Sequence, residues 1–180
     1  MDIVEKALAS NRKKAVKEKL NNISFVNYDG TDFPFNDKSF DMVISRYALH
    51  HFPMITASIA EVSRVLKQDG YLFISDPTPN ASDTQRFIDA YMQLKKDGHI
   101  KFYTSEEWIN ICEKSGLKPV GSFMSSIRFP KKKDTAYEFT ELIKKYDKEV
   151  IDGYNLEILE DEIYVTEQVN NLLFHKHQHF

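Results

Sequence analysis

The 180 residues are 42% apolar and 28% charged, enough apolar surface for a buried core and too much for a disordered chain. A net charge of −3 argues against broad nucleic-acid binding, and no apolar run approaches the ~18 residues of a membrane span. The lone Cys112 cannot close an internal disulfide, so one cytoplasmic domain is the expectation, with neither nucleic acid nor membrane as partner.

Residues 4–20 read as a helix, with Leu8, Val16 and Leu20 near one face and Asn21-Asn22 as its stop. Ile23–Tyr28 is rich in β-formers and reads as a strand. Phe40–Ser45 is a short continuous apolar run, the pattern of a strand covered on both faces. Ile55, Ile59, Val62 and Leu66 recur at helical spacing over 54–67, and Asp69-Gly70 closes that helix. Tyr71–Ser75 is a further buried strand, stopped by Asp76-Pro77. Strand, helix, strand with short connections implies right-handed βαβ units and a parallel sheet.

The second half is less regular. Ser82-x-x-Gln85 and Thr104-x-x-Glu107 fit the capping box and predict helices over 83–97 and 105–115, the latter ending at Gly116. Residues 118–126 read as a strand, Lys131–Lys133 as a solvated basic turn, and 134–149 as a helix opened by Asp134. A last strand is expected over 162–174. His175, His177 and His179 alternate at the end of the chain, as a polar tail or, on a strand, as one face of imidazoles; no metal site is assigned to them.

The segment DGTDFPFNDKSFDMVISRYALHHF, Asp29 to Phe52, resembles the middle of class I S-adenosylmethionine-dependent methyltransferases of the small-molecule, type 11 branch. That branch carries D-A-x-x-L-P-F-x-D-x-S-F-D-x-V followed by x-x-x-x-L-H-H. The start MDIVEKAL is similar to the family's V-D-I-S-E-E-M-L, and Lys114-Ser115-Gly116-Leu117 to its E-A-G-F. The resemblance implies an α/β fold: a Rossmann-like class I methyltransferase sheet over 1–180 that lacks its first two strands. Segments 77–104 and 127–161 would be variable lid and substrate insertions. It also implies that Met1 corresponds to a position inside the family domain, after the glycine-rich motif. The six glycines, at 30, 70, 98, 116, 121 and 153, are too scattered to form such a loop. Losing two central strands would part residues 23–28 from 40–45 by about 14 Å. The chain could then be a piece of a longer protein, residues 23–28 could slide against 40–45, or a second copy could supply the pairing in a homodimer.

By the same resemblance, Asp2 would accept hydrogen bonds from the ribose hydroxyls, although it could equally cap the first helix. Asp29 and Gly30 would meet the adenine ring, with Phe33 near its face; Asp-Gly alone needs no more than a turn. Ser45 and Arg46 would meet the methionine portion, where ligands bind at the carboxyl ends of strands. His50, Tyr47 and Asp76 are the catalytic candidates, His50 as a general base, whereas adjacent histidines in this family often only shape the loop. The implied cofactor is S-adenosylmethionine and the partner a small-molecule methyl acceptor. The alternative is an inactive methyltransferase-like domain that serves as a dimerisation or partner-binding module.

Overall fold

The computed structural model describes residues 1–28, 30, 32–132, 136–160 and 162–177. Its elements, in chain order, are α1 (Glu5–Lys17), β1 (Phe40–Arg46), a 3-10 turn (Leu49–His51), α2 (Ile55–Val65) and β2 (Leu66–Thr78). There follow α3 (Phe87–Gln93), α4 (Ser105–Glu113), β3 (Leu117–Lys132), α5 (Ala136–Ile143), α6 (Lys148–Asp152), β4 (Glu157–Ile158) and β5 (Glu162–Lys176).

The sheet order is β1-β2-β5-β3, with β4 on β5. β1 and β2 run parallel, Ile44 opposite Phe73, with α2 between them in sequence, as the βαβ reading requires. β5 enters antiparallel between β2 and β3. This is the mixed Rossmann-like sheet that the resemblance implies. One core packs α2 and α4 on the sheet through Ile59, Val62, Leu72, Ile74, Trp108 and Phe174. A second joins α3, α5 and α6 to β5 through Phe87, Phe139, Val150 and Val165.

Gly70 explains the tight passage from α2 into β2. A Cβ there would meet the backbone oxygens of Lys67 and Asp41 at 2.9 and 3.1 Å, so a side chain has no room. The Asp69-Gly70 stop therefore falls inside β2; the helix itself ends at Val65.

Several expectations are corrected. Ile23–Tyr28 is not a strand: it makes a single parallel bridge, Asn27 to Asp2, and pairs with no strand of the sheet among the described residues. Nor has it slid against β1, whose outer edge leaves Met42 and Ile44 44% and 64% exposed. The first helix ends at Lys17, short of the expected residue 20; it buries Leu8 and leaves Val16 exposed, and Leu20 lies beyond it, also exposed. The Ser82–Gln85 capping box does not form. Instead the Asp83 carboxylate accepts from the Phe87 and Ile88 amides at 2.7 and 3.0 Å and starts α3 four residues later. The box at Thr104 and Glu107 does form, in both directions. The expected helix over 134–149 is two short ones, broken around Tyr146–Asp147, and Asp134 lies outside the described residues. Lys131 and Lys132 extend β3 instead of making a turn, so residues 127–132 belong to the sheet. His175 closes β5 with its ring beside His177, while His179 lies outside the described residues.

Candidate active site

Parallel pairing of β1 and β2 brings their carboxyl ends side by side, Arg46 opposite Ser75. The next residue, Tyr47, donates its amide to Ser75 O at 2.9 Å. It sits at φ +52°, a left-handed conformation that costs a bulky side chain on the order of 1–3 kcal/mol and marks a constrained turn. That turn aims the 3-10 segment back over β2. His50 then reaches Asp76 twice: its amide donates to Oδ2 at 3.1 Å and its Nδ1 pairs with Oδ1 at 2.9 Å. Both residues are buried, at 5% and 1% exposure.

The three catalytic candidates thus converge. Asp76 holds the Nδ1 proton of His50, which leaves Nε2 with the lone pair and without a hydrogen-bond partner among the described residues. Burial, then the Glu167 carboxylate, raise the Tyr47 phenol above its usual range, with the Arg46 guanidinium opposing. At neutral pH Tyr47 is therefore a hydrogen-bond donor and not a base.

A second histidine–carboxylate pair, not singled out from the sequence, backs the first. His99 Nε2 lies 2.9 Å from Asp89 Oδ1, which also accepts from the Phe102 amide at 2.7 Å. Arg86 binds the other oxygen at 2.7 Å through Nε. Burial favours the neutral acid of Asp89, but His99, the Phe102 amide and the Arg86 charge outweigh it and hold the carboxyl below the usual range. The Phe102 ring stands edge-on to both imidazoles, and the Ile100 amide donates to His50 O at 3.0 Å. No sequence signal pointed to this strap: Asp89 stands two residues from Phe87 and from Tyr91, off the helical face they share, and His99 lies in no motif.

The residues assigned to the cofactor fall mostly together. Asp2, Phe33, Ser45 and Arg46 line one slot of about 650 Å³ between β1 and the N-terminal segment. Asp2 Oδ1 accepts from the Val4 amide at 2.9 Å in a local turn; Val4 is the N-cap of α1 and no side chain caps that helix, so the capping reading of Asp2 fails. Phe33 is buried edge-on against Tyr28 with ring centroids 5.6 Å apart, and its ring is first of all a core residue. The Arg46 guanidinium lies over the Tyr47 ring at 5.0 Å. Gly30, at φ +95°, lies outside this lining, and Asp29 outside the described residues.

Comparison with known proteins agrees with this architecture. Residues 1–74 match the family model described as "Methyltransferase domain". An uncharacterized methyltransferase, YcgJ of Bacillus subtilis, is 32% identical over 108 residues, 59% of this chain and 41% of that protein. The chain thus matches less than half the length of this curated relative. A Bacillus halodurans crystal structure described as a methyltransferase superposes with a TM-score of 0.85 at 20% identity, over 98% of this chain and 81% of that one. A Haemonchus contortus phosphoethanolamine N-methyltransferase, solved with S-adenosylhomocysteine, superposes at 0.63 and 18% identity, over 98% of this chain and 43% of that one.

Proposed function

We propose that the chain transfers a methyl group from S-adenosylmethionine to a small-molecule acceptor, a reading supported by the Rossmann-like methyltransferase fold and by the match of residues 1–74 to the methyltransferase-domain model. The observation that carries this reading is the buried His50–Asp76 pair at the carboxyl ends of two parallel strands. Ligands in open α/β sheets bind at that edge.

The slot suits the cofactor's adenosine side. Asp2 offers its second carboxylate oxygen to a ribose hydroxyl, and Ser45 and Arg46 face the same space. When bound, S-adenosylmethionine supplies an electrophilic methyl group on a sulfonium. His50 Nε2 would accept the proton of an acceptor O–H as that oxygen is methylated. Asp76 fixes the tautomer and orientation of the imidazole, and Tyr47, protonated at neutral pH, is available as a donor beside it. Placing the two reactants in line supplies much of the rate for such a substitution.

The chain offers no glycine-rich loop of backbone donors for the methionine end. Each hydrogen bond to a charged group is worth about 1.5–3 kcal/mol, so this chain alone is expected to bind the cofactor more weakly than ~1 mM.

The test is S-adenosylhomocysteine formation from millimolar S-adenosylmethionine and fractionated cellular small molecules. Turnover that drops by about 10²–10⁴ in His50→Gln is the expected result. No turnover with any fraction contradicts it. A second reading, a domain that serves in partner binding or dimerisation, draws on the open β1 edge with Met42 and Ile44 exposed. Sedimentation equilibrium distinguishes it, through self-association that Ile44→Lys abolishes.

A further inference from the structure

A second cavity, of about 560 Å³, opens over β2 from Thr78 onward, two residues beyond Asp76. Its floor is one face of the sheet. Asp76 pairs with Asn170, and Asn170 with Met124; one step up, Thr78 pairs with Gln168. Side chains alternate along a strand, so Asp76 and Thr78 point to the same face, about 7 Å apart along β2. Asn170, Thr78, Gln168 and Met124 all line the cavity. Asp76, which holds His50, lies two residues back along the same face of β2 and is not itself part of the lining.

The walls carry two charged groups, and both are committed elsewhere. The Arg86 guanidinium is bound to Asp89 and to Phe102 O. The Asp83 carboxylate is filled by the Phe87 and Ile88 amides and by the Tyr154 hydroxyl at 2.6 Å. Apart from Nη1 of Arg86, whose charge Asp89 already balances, what remains for a ligand is neutral. Thr78, Thr84 and Gln168 line the cavity with side chains that have no hydrogen-bond partner among the described residues. Asn80 Oδ1 is a buried acceptor without a partner. Pro79, Ala81 and Met124 supply the apolar part. A buried ion would find no counter-charge here and would lose several kcal/mol of hydration. A hydroxyl finds both donors and acceptors.

We infer that this cavity is the acceptor subsite and that it takes a neutral, hydroxyl-bearing molecule with an apolar body, in preference to a carboxylate or an amine. The inference rests on the methyl-transfer reading for its meaning, but its test does not. The volume lies within the range of small-molecule sites, about 300–1,000 Å³.

Three probes share one skeleton and differ in charge: benzyl alcohol, benzoate and benzylamine. Each is titrated into the full chain carrying ¹³C-methyl methionine, with the Met124 methyl as reporter. The expected result is a saturable shift with benzyl alcohol, with a dissociation constant at least about tenfold below those of the two charged probes. Gln168→Leu and, separately, Thr84→Val each weaken it, with the thermal midpoint unchanged in at least one of them. Equal or tighter binding of benzoate or benzylamine overturns the inference, and so does an unmoved Met124 methyl with all three. Failure to form S-adenosylhomocysteine in the separate turnover assay would instead remove the methyl-transfer reading and leave the ligand preference standing.

Discussion

His50 and Asp76 are joined at both ends of one carboxylate: the backbone amide takes Oδ2 at 3.1 Å and the ring Nδ1 takes Oδ1 at 2.9 Å. A side chain held twice in this way can present Nε2 in one direction only. Asp76→Asn keeps the shape but turns an amide NH₂ toward one of two donors. The expected loss is about 1.5–3 kcal/mol of stability, read by urea denaturation, with an imidazole tautomer change visible in long-range ¹H–¹⁵N spectra. An unchanged tautomer would mean that Asp76 does not set it.

Asp89 gives the chain an acid-sensitive strap. Its folded carboxyl lies below the unfolded value of about 3.9, so its contribution is fully present above that pH and is lost as pH falls through the folded value. Glu107, held low by Lys101 and the Thr104 amide against the effect of burial, acts in the same direction. Stability is therefore expected to be flat above about pH 5 and to fall below about 4. Asp89→Asn should be less stable at pH 7 and show a shallower acid slope. An identical slope would contradict the assignment.

Much of this fold was legible because the signals were local and strong. Tyr71–Ser75 is an apolar run that the sheet buries, and Thr104 with Glu107 caps a helix by itself. Phe40–Ser45 forms its strand, but the expectation of cover on both faces fails: β1 stands at the sheet edge and buries none of its residues. Ile23–Tyr28 misled because β-propensity needs a neighbour to become a strand, and here it finds one bridge. Ser82 misled because Asp83 beside it offers two acceptor oxygens to the same helix start. At the site, His50, Tyr47 and Asp76 lay in or beside a motif and could be named. His99 and Asp89 lay in no motif; their contact depends on how residues 94–102 cross the sheet end, which periodicity does not encode.

Tyr154 ties residues 80–83 to the segment that follows α6. Its hydroxyl donates to Asp83 at 2.6 Å and accepts from the Asn80 amide at 3.1 Å, and burial with the Asp83 bond raises its phenol well above the usual range. Tyr154→Phe strands a buried carboxylate oxygen and a backbone donor at once. A loss of about 2–4 kcal/mol is expected from chemical denaturation. A loss under ~1 kcal/mol would show that water replaces both partners.

Cys112 is fully buried under α4, and burial pushes its thiol up to about 12. A thiol-exchange reagent at pH 8 should therefore react only through opening of the fold, much more slowly than with free cysteine, and rapidly in denaturant. Fast labelling of the native chain would place Cys112 on the surface.

The most direct measurement of the central claim is a titration of S-adenosylmethionine into the ¹³C-methyl-labelled chain, reading Met42 and Ile44 in the slot and Met124 outside it. The expected result is a saturable shift of Met42 and Ile44 with a dissociation constant above ~1 mM, weakened further by Asp2→Ala. No shift of either methyl up to about 10 mM would contradict cofactor binding in the slot, and micromolar saturation by a verified monomer would contradict the weak binding expected of this chain.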